Sequence, residues 1–208
     1  MNSLDRLAAS TRAERLAVGN STSVIPWLSP GQTVADGGAP PEDTDPGVAL
    51  FNALLQVFAS GATGFHLYTH NGFVDMSMWL AVREAIAMVT PYEDVIMDGT
   101  PAPDGTFSNV APAAVLSAMT DTANAGMLLI ASSTMPYGRA TAFTVATPHA
   151  VSGGGWLLCD LSTNKSVAAG SDGSATWSSA AEKGSVLVFG AKTQCHTLLR
   201  LEAGSRNV

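Results

Sequence analysis

Charge is scarce in this sequence. Lys and Arg number 10 and Asp and Glu 17 among 208 residues, so 13% of the chain is charged and the net charge is −7. The basic residues are scattered with no run among them. A phosphate backbone needs a surplus of positive charge to bind, so nucleic acid is not expected as a partner. Cysteine is scarce too. Cys159 and Cys195 are the only two, too few for a disulfide scaffold or a cysteine-rich zinc site. They read equally as one bridge or as two buried thiols. No apolar run approaches the ~20 residues of a membrane-spanning helix. The first residues carry no apolar stretch of the secretory-signal kind. A Gly-x-Ser-x-Gly nucleophile elbow is missing, and the VSGGGW stretch lacks the Lys-Ser/Thr that follows a phosphate-cradling loop.

What is present is apolar. A hydrophobic content of 46% describes a core-rich globular protein. The chain opens with a helical pattern carrying Leu4, Leu7 and Ala8 on one face and Leu16 further on. Val24, Ile25, Trp27 and Leu28 form a short strand candidate, with Pro26 at an irregular point and Pro30-Gly31 ending it. After a loop rich in Gly, Pro and Asp, Asp45 reads as an N-cap and Pro46 as the first residue of a helix. Val48, Phe51, Leu54, Leu55 and Phe58 share a face of that helix, and Gly61 stops it. The strand TGFHLYTH follows. A second helix begins near Phe73 and runs to about Val89, with Met76, Trp79, Leu80, Ile86 and Val89 as its expected buried stripe. Pro91 blocks simple continuation, and Asp94–Met97 reads as extended. Strands alternating with helices imply parallel pairing through crossovers.

Past about Ser108 the grammar changes. AAVLSAMTDT, GMLLIASST, ATAFTVATP, GWLLCDLST, SATWSSA and GSVLVFGA are short strand candidates divided by turn signals such as Ser171-Asp172-Gly173, and HTLLRLE is a further one. Closely spaced strands without helices imply an antiparallel sandwich. Trp156 and Trp177 read as core residues of it. Residues 1–103 and 104–208 are therefore expected to form two domains.

The order VIPWLSPG, then ALFNALLQVFASGATGFHLYT, then GFVDMSMWLAVREAIAMVTPYEDVIMDG, then a β-rich tail with WLLCDLSTNKSV, resembles the end of a retaining glycoside hydrolase. In that layout an α/β fragment of a (β/α)8 barrel, its last two strand–helix units, precedes an all-β antiparallel sandwich. The resemblance is one of layout and covers almost the whole chain. It implies an oligo- or polysaccharide as partner, no cofactor, and a site at the C-terminal ends of the strands. Trp27, Tyr68, His70 and Asp75 are the substrate-binding residues it points to. Aromatic rings stack on apolar sugar faces, while hydroxyl and imidazole groups hydrogen-bond the rest.

No catalytic residue is assigned. Glycoside hydrolysis uses two carboxylates, ~5–5.5 Å apart in a retaining enzyme. The family's acid/base lies on a mid-barrel strand that this chain does not contain. The strand end that would carry the nucleophile has no Glu, and Asp36 and Glu42 further along read as solvated loop carboxylates. His66 and His70 are too far apart along a strand to share a metal. A complete barrel takes ~250 residues, so the chain reads as a C-terminal fragment, inactive alone and needing a partner chain or further sequence to complete the barrel. A non-catalytic carbohydrate-binding module and a structural or assembly module are the rival expectations.

Overall fold

The computed structural model describes residues 3–28, 45–67, 76–121, 123, 126–134, 139–147, 155–160, 162–163, 165–179, 183–193 and 195. They build a mixed α/β architecture in three layers: helices, a six-stranded sheet and a three-stranded sheet.

The first helix, α1 (Ser3–Val18), buries Leu4, Ala8, Thr11 and Arg15 and leaves Leu16 exposed, correcting the expected stripe. Arg15 wins the inward position because its guanidinium caps another helix. It donates to the carbonyl oxygens of Ile96 (3.2 Å), Met97 and Gly99 (3.5 Å) at the end of α4 (Glu93–Asp98). Those carbonyls have no partner within their own helix, and the helix dipole makes that end attractive to a cation. Burial lowers the Arg15 pKa from its ordinary value, and the charge of Asp98 opposes the shift.

Strand β1 (Trp27–Leu28) pairs in parallel with β2 (His66–Leu67), as strand–helix alternation implies. The crossover between them is α2 (Pro46–Phe58). Asp45 accepts a hydrogen bond from the amide of Gly47 at 2.7 Å, and Pro46 opens the first turn. Every residue from Gly47 to Phe58 is buried, so the helix has no solvent face. It packs against α1, α3 (Met76–Val89) and the large sheet.

Helix α3 departs most from the sequence pattern. Its buried residues are Ala81, Val82, Ala85 and Val89, whereas Met76, Trp79, Leu80 and Ile86 are exposed. Small side chains on the buried face let two helix backbones approach closely, and this geometry was chosen over burial of the larger residues. Beyond it, a 3-10 turn (Thr90–Tyr92) takes Pro91 at its start, where no amide hydrogen is needed. The chain then enters α4, so Asp94–Met97 is helical and not extended. Glu93 and Asp94 favour the helix start electrostatically, while Val95 and Ile96 bury in the core.

The remaining strands are β3 (Thr100–Pro101), β4 (Phe107–Ser108), β5 (Ala114–Asp121), β6 (Met127–Thr134), β7 (Thr141–Ala146), β8 (Trp156–Asp160), β9 (Lys165–Ala168), β10 (Ser174–Ser179) and β11 (Ser185–Ala191). The large sheet runs β3-β5-β6-β11-β8-β9 and the small one β10-β7-β4, every pair antiparallel. Alternating residues of the central strands serve two cores. Leu129, Ala131, Val186 and Val188 meet the helices, while Leu128, Ile130, Leu187 and Phe189 meet Phe143, Val145 and Trp177 of the small sheet. This double burial explains why every residue of β6 is buried and why Met127 to Ala131 are all apolar. One core thus runs across residue 103, joining the helices to β5, β6 and β11. Strand β9, at the sheet edge, is mostly exposed, and its KSVA sequence has no apolar alternation to announce it. Cys159 and Cys195 form a disulfide with Cα atoms 6.2 Å apart.

Candidate functional site

The parallel pair carries the candidate site. Backbone bonds from Thr63 to Val24 and from His66 to Pro26, both 2.9 Å, zip the strands together from their N-terminal side. Pro26 serves only as an acceptor there, which suits a residue with no amide hydrogen. Leu28 is buried and Leu67 packs on the helical core. Alternation therefore turns Trp27 and His66 to the opposite face.

These two residues are direct partners in the register, and their rings stack with centroids 5.8 Å apart and planes 19° from parallel. Trp27 is 69% exposed, and His66 is exposed as well. Together they form an exposed aromatic surface in which indole and imidazole are stacked, each covering part of one face of the other. Such a surface offers a π-face to an apolar ring face, plus nitrogen atoms that donate and accept hydrogen bonds.

Of the residues expected at the site, Trp27 is described, and Tyr68, His70 and Asp75 lie outside the described residues, as do Asp36 and Glu42. His66 is a ring partner that the expected set of site residues lacks. The signal lay in strand alternation: His66 stands two residues before Tyr68 and four before His70, on one parity. Among the described residues, no group of three or more His, Cys, Asp or Glu side chains converges as a metal site. No helix among them is long and apolar enough to cross a membrane. Trp156 and Trp177 are buried between the two sheets, where Trp156 meets Phe189 edge-on at 5.2 Å. They offer no platform to a ligand.

No family model matches the sequence. No curated protein matches it. Among solved structures, an AmyP variant in complex with maltotriose is similar with a TM-score of 0.48 at 13% identity, over 72% of this chain and 36% of that one. An alpha-amylase from Malbranchea cinnamomea is similar with a TM-score of 0.41 at 15% identity, over 70% of this chain and 33% of that one. The chain thus spans about a third of the length of these structures, and its similarity to them is weak and partial.

Proposed function

We propose that this chain supplies one wall of a carbohydrate-binding cleft in a glycoside-hydrolase-like protein. Residues 1–103 act as the partial-barrel segment and residues 104–208 as the β-sandwich that supports it. The observation that carries this reading is the stacked, exposed Trp27–His66 pair on parallel strands. The layout of the sequence agrees with it. Trp27 and His66 bind a sugar ring by stacking, and Tyr68, His70 and Asp75, further along the chain, add hydrogen bonds. In a complete hydrolase these groups hold the sugar while carboxylates from elsewhere do the chemistry through an oxocarbenium-like transition state.

The test is calorimetric titration of the 208-residue chain with a panel of linear trisaccharides, compared with Trp27→Ala. Trp27 is largely exposed, so the variant should keep its thermal midpoint while weakening binding at least about tenfold, or ~1.4 kcal/mol. Equal affinity in the two proteins would sink the reading, as would a panel without a binder.

A second reading, an assembly module, is favoured by α3. Met76 (71% exposed), Trp79 (54%) and Leu80 (53%) leave a large apolar surface on one helix. Light scattering after size exclusion tests it. The assembly reading expects association that Trp79→Ser with Leu80→Ser abolishes, and a monomer at all concentrations with no captured partner chain counts against it.

A further inference from the structure

A second concave site lies away from the parallel strands, and its argument does not rest on the proposed function. It is a cleft of about 320 Å3 between α1, the end of α2 and the edge of the large sheet, within the size range of small-molecule sites. Asp5, Ala8, Ala9 and Arg12 line it from α1. Their i, i+3, i+4, i+7 spacing places them on one helix face. The turn from Pro103 to Phe107 forms the opposite wall, and Ser60 and Ser117 lie at its floor.

The polar groups are arranged with defined hydrogen-bonding senses. Gln56 is fully buried, and its side-chain oxygen accepts from Ser117 at 2.7 Å. Ser60 donates its single hydroxyl hydrogen to Ser117 at 2.9 Å, which leaves the Ser60 oxygen as an acceptor toward the cleft. Arg12 uses Nη2 for the carbonyl of Ala102 (2.9 Å) and for Asp104 (3.0 Å). Its Nε and Nη1 hydrogens remain as donors, and the Asp104 pair balances its charge. The sheet edge adds one donor and one acceptor. Ala102 donates to the carbonyl of Ala118 at 2.8 Å, beyond which the chain turns away at Pro103. Backbone groups alternate in direction along an antiparallel strand, so those of Leu116 point the same way as those of Ala118, into the space β3 has vacated.

We propose that this cleft binds a neutral, polyhydroxylated ring the size of one sugar. Donors and acceptors are interleaved around it, and a hydroxyl is the group that acts as both. Arg12 is paired with Asp104 and Asp5 also lines the cleft, so the site holds no surplus of positive charge for an anion. Ala8, Ala9, Ala59 and Phe107 supply the apolar surface that ring C–H groups need.

The experiment is saturation-transfer NMR and calorimetry on the full chain with glucose, galactose and mannose as probes. At least one should bind. Ala9→Phe fills the cleft from an exposed helix position and should abolish binding. Arg12→Ala removes the donors together with the bond to Ala102 and an exposed ion pair, so it should lower the thermal midpoint only slightly and weaken binding about tenfold. Trp27→Ala should bind the monosaccharide as the unaltered chain does, which separates this site from the trisaccharide platform. The proposal is overturned if none of the three sugars binds, if Ala9→Phe binds normally, or if Trp27→Ala abolishes binding while Ala9→Phe does not.

Discussion

Gln56 on α2 and Ser117 on β5, sixty-one residues apart in sequence, share a buried hydrogen bond of 2.7 Å. It belongs to a polar stripe on an otherwise apolar helix. Asn52 and Gln56 lie four residues apart on one face of α2, and Ser60 follows in the turn after it. Asn52 accepts from the amide of Gly184 at 2.6 Å, and Gln56 donates to the carbonyl of Val115 (3.0 Å) and to Ser133 (3.1 Å). Apolar contacts alone would let a helix slide on a sheet. Directed bonds to β5, β6 and the start of β11 set one position for α2, and so set where β1 and β2 run.

Replacing Gln56 with Ala should therefore cost more than the lost contact. It removes the acceptor of the Ser117 hydroxyl and the buried bonds to Val115 and Ser133, and opens a cavity, together about 2–4 kcal/mol. Urea denaturation of the variant measures this, with Ser117→Ala and the double variant completing a cycle. Additive effects of the two substitutions would show that the bond does not couple them.

Gly61 has φ +97°, and a Cβ built there would lie 2.5 Å from Cγ of Arg15. Gly61→Ala should thus be destabilising on two counts, backbone strain of about 1–2 kcal/mol and a clash with a side chain that is itself buried. Shortening Arg15 to Ala in the Gly61→Ala background should relieve the clash but not the strain. The fall in thermal midpoint on adding Gly61→Ala should therefore be smaller beside Arg15→Ala than in the unaltered chain. Equal falls in both backgrounds would refute the steric contact.

The four tryptophans divide into two classes. Trp27 and Trp79 are 69% and 54% exposed, while Trp156 and Trp177 are 8% and 4% exposed. Iodide quenching of the native fluorescence should curve downward, with an accessible component that shrinks in Trp27→Phe. A single linear quenching plot would contradict this division.

The disulfide joins residues separated by 36 positions and ties Cys195 back to β8. Closing a loop of that length restricts the unfolded chain, worth about 2–4 kcal/mol. Reduction, or Cys195→Ser, should lower the thermal midpoint to a similar extent. An unchanged midpoint after verified reduction would show that the bridge adds no stability.

Local chemistry and periodicity made much of the fold legible. Asp45 and Pro46 marked the start of α2 because capping depends on side chains within a few residues. The strands β5, β6, β7, β8, β10 and β11 were visible because turn residues punctuate short apolar segments. Local signals misled where two elements compete for one space. The larger apolar residues of α3 predicted the wrong face, since the sequence does not reveal that α2 demands close approach and so selects Ala81 and Ala85. Leu16 continued the apolar pattern yet is exposed, and Arg15 takes the inward position because of the α4 carbonyls it caps, which nothing near it in sequence announces.

The candidate site divides in the same way. Trp27 stood out as an aromatic on a short strand, a property of its own segment. Its partnership with His66 was set only when α2 carried the chain across and the parallel register brought the two rings side by side. Composition and pattern determined that this chain would form strands, helices and an apolar core. Which side chains face each other depends on packing between segments distant in sequence, and that is what the tertiary structure decided.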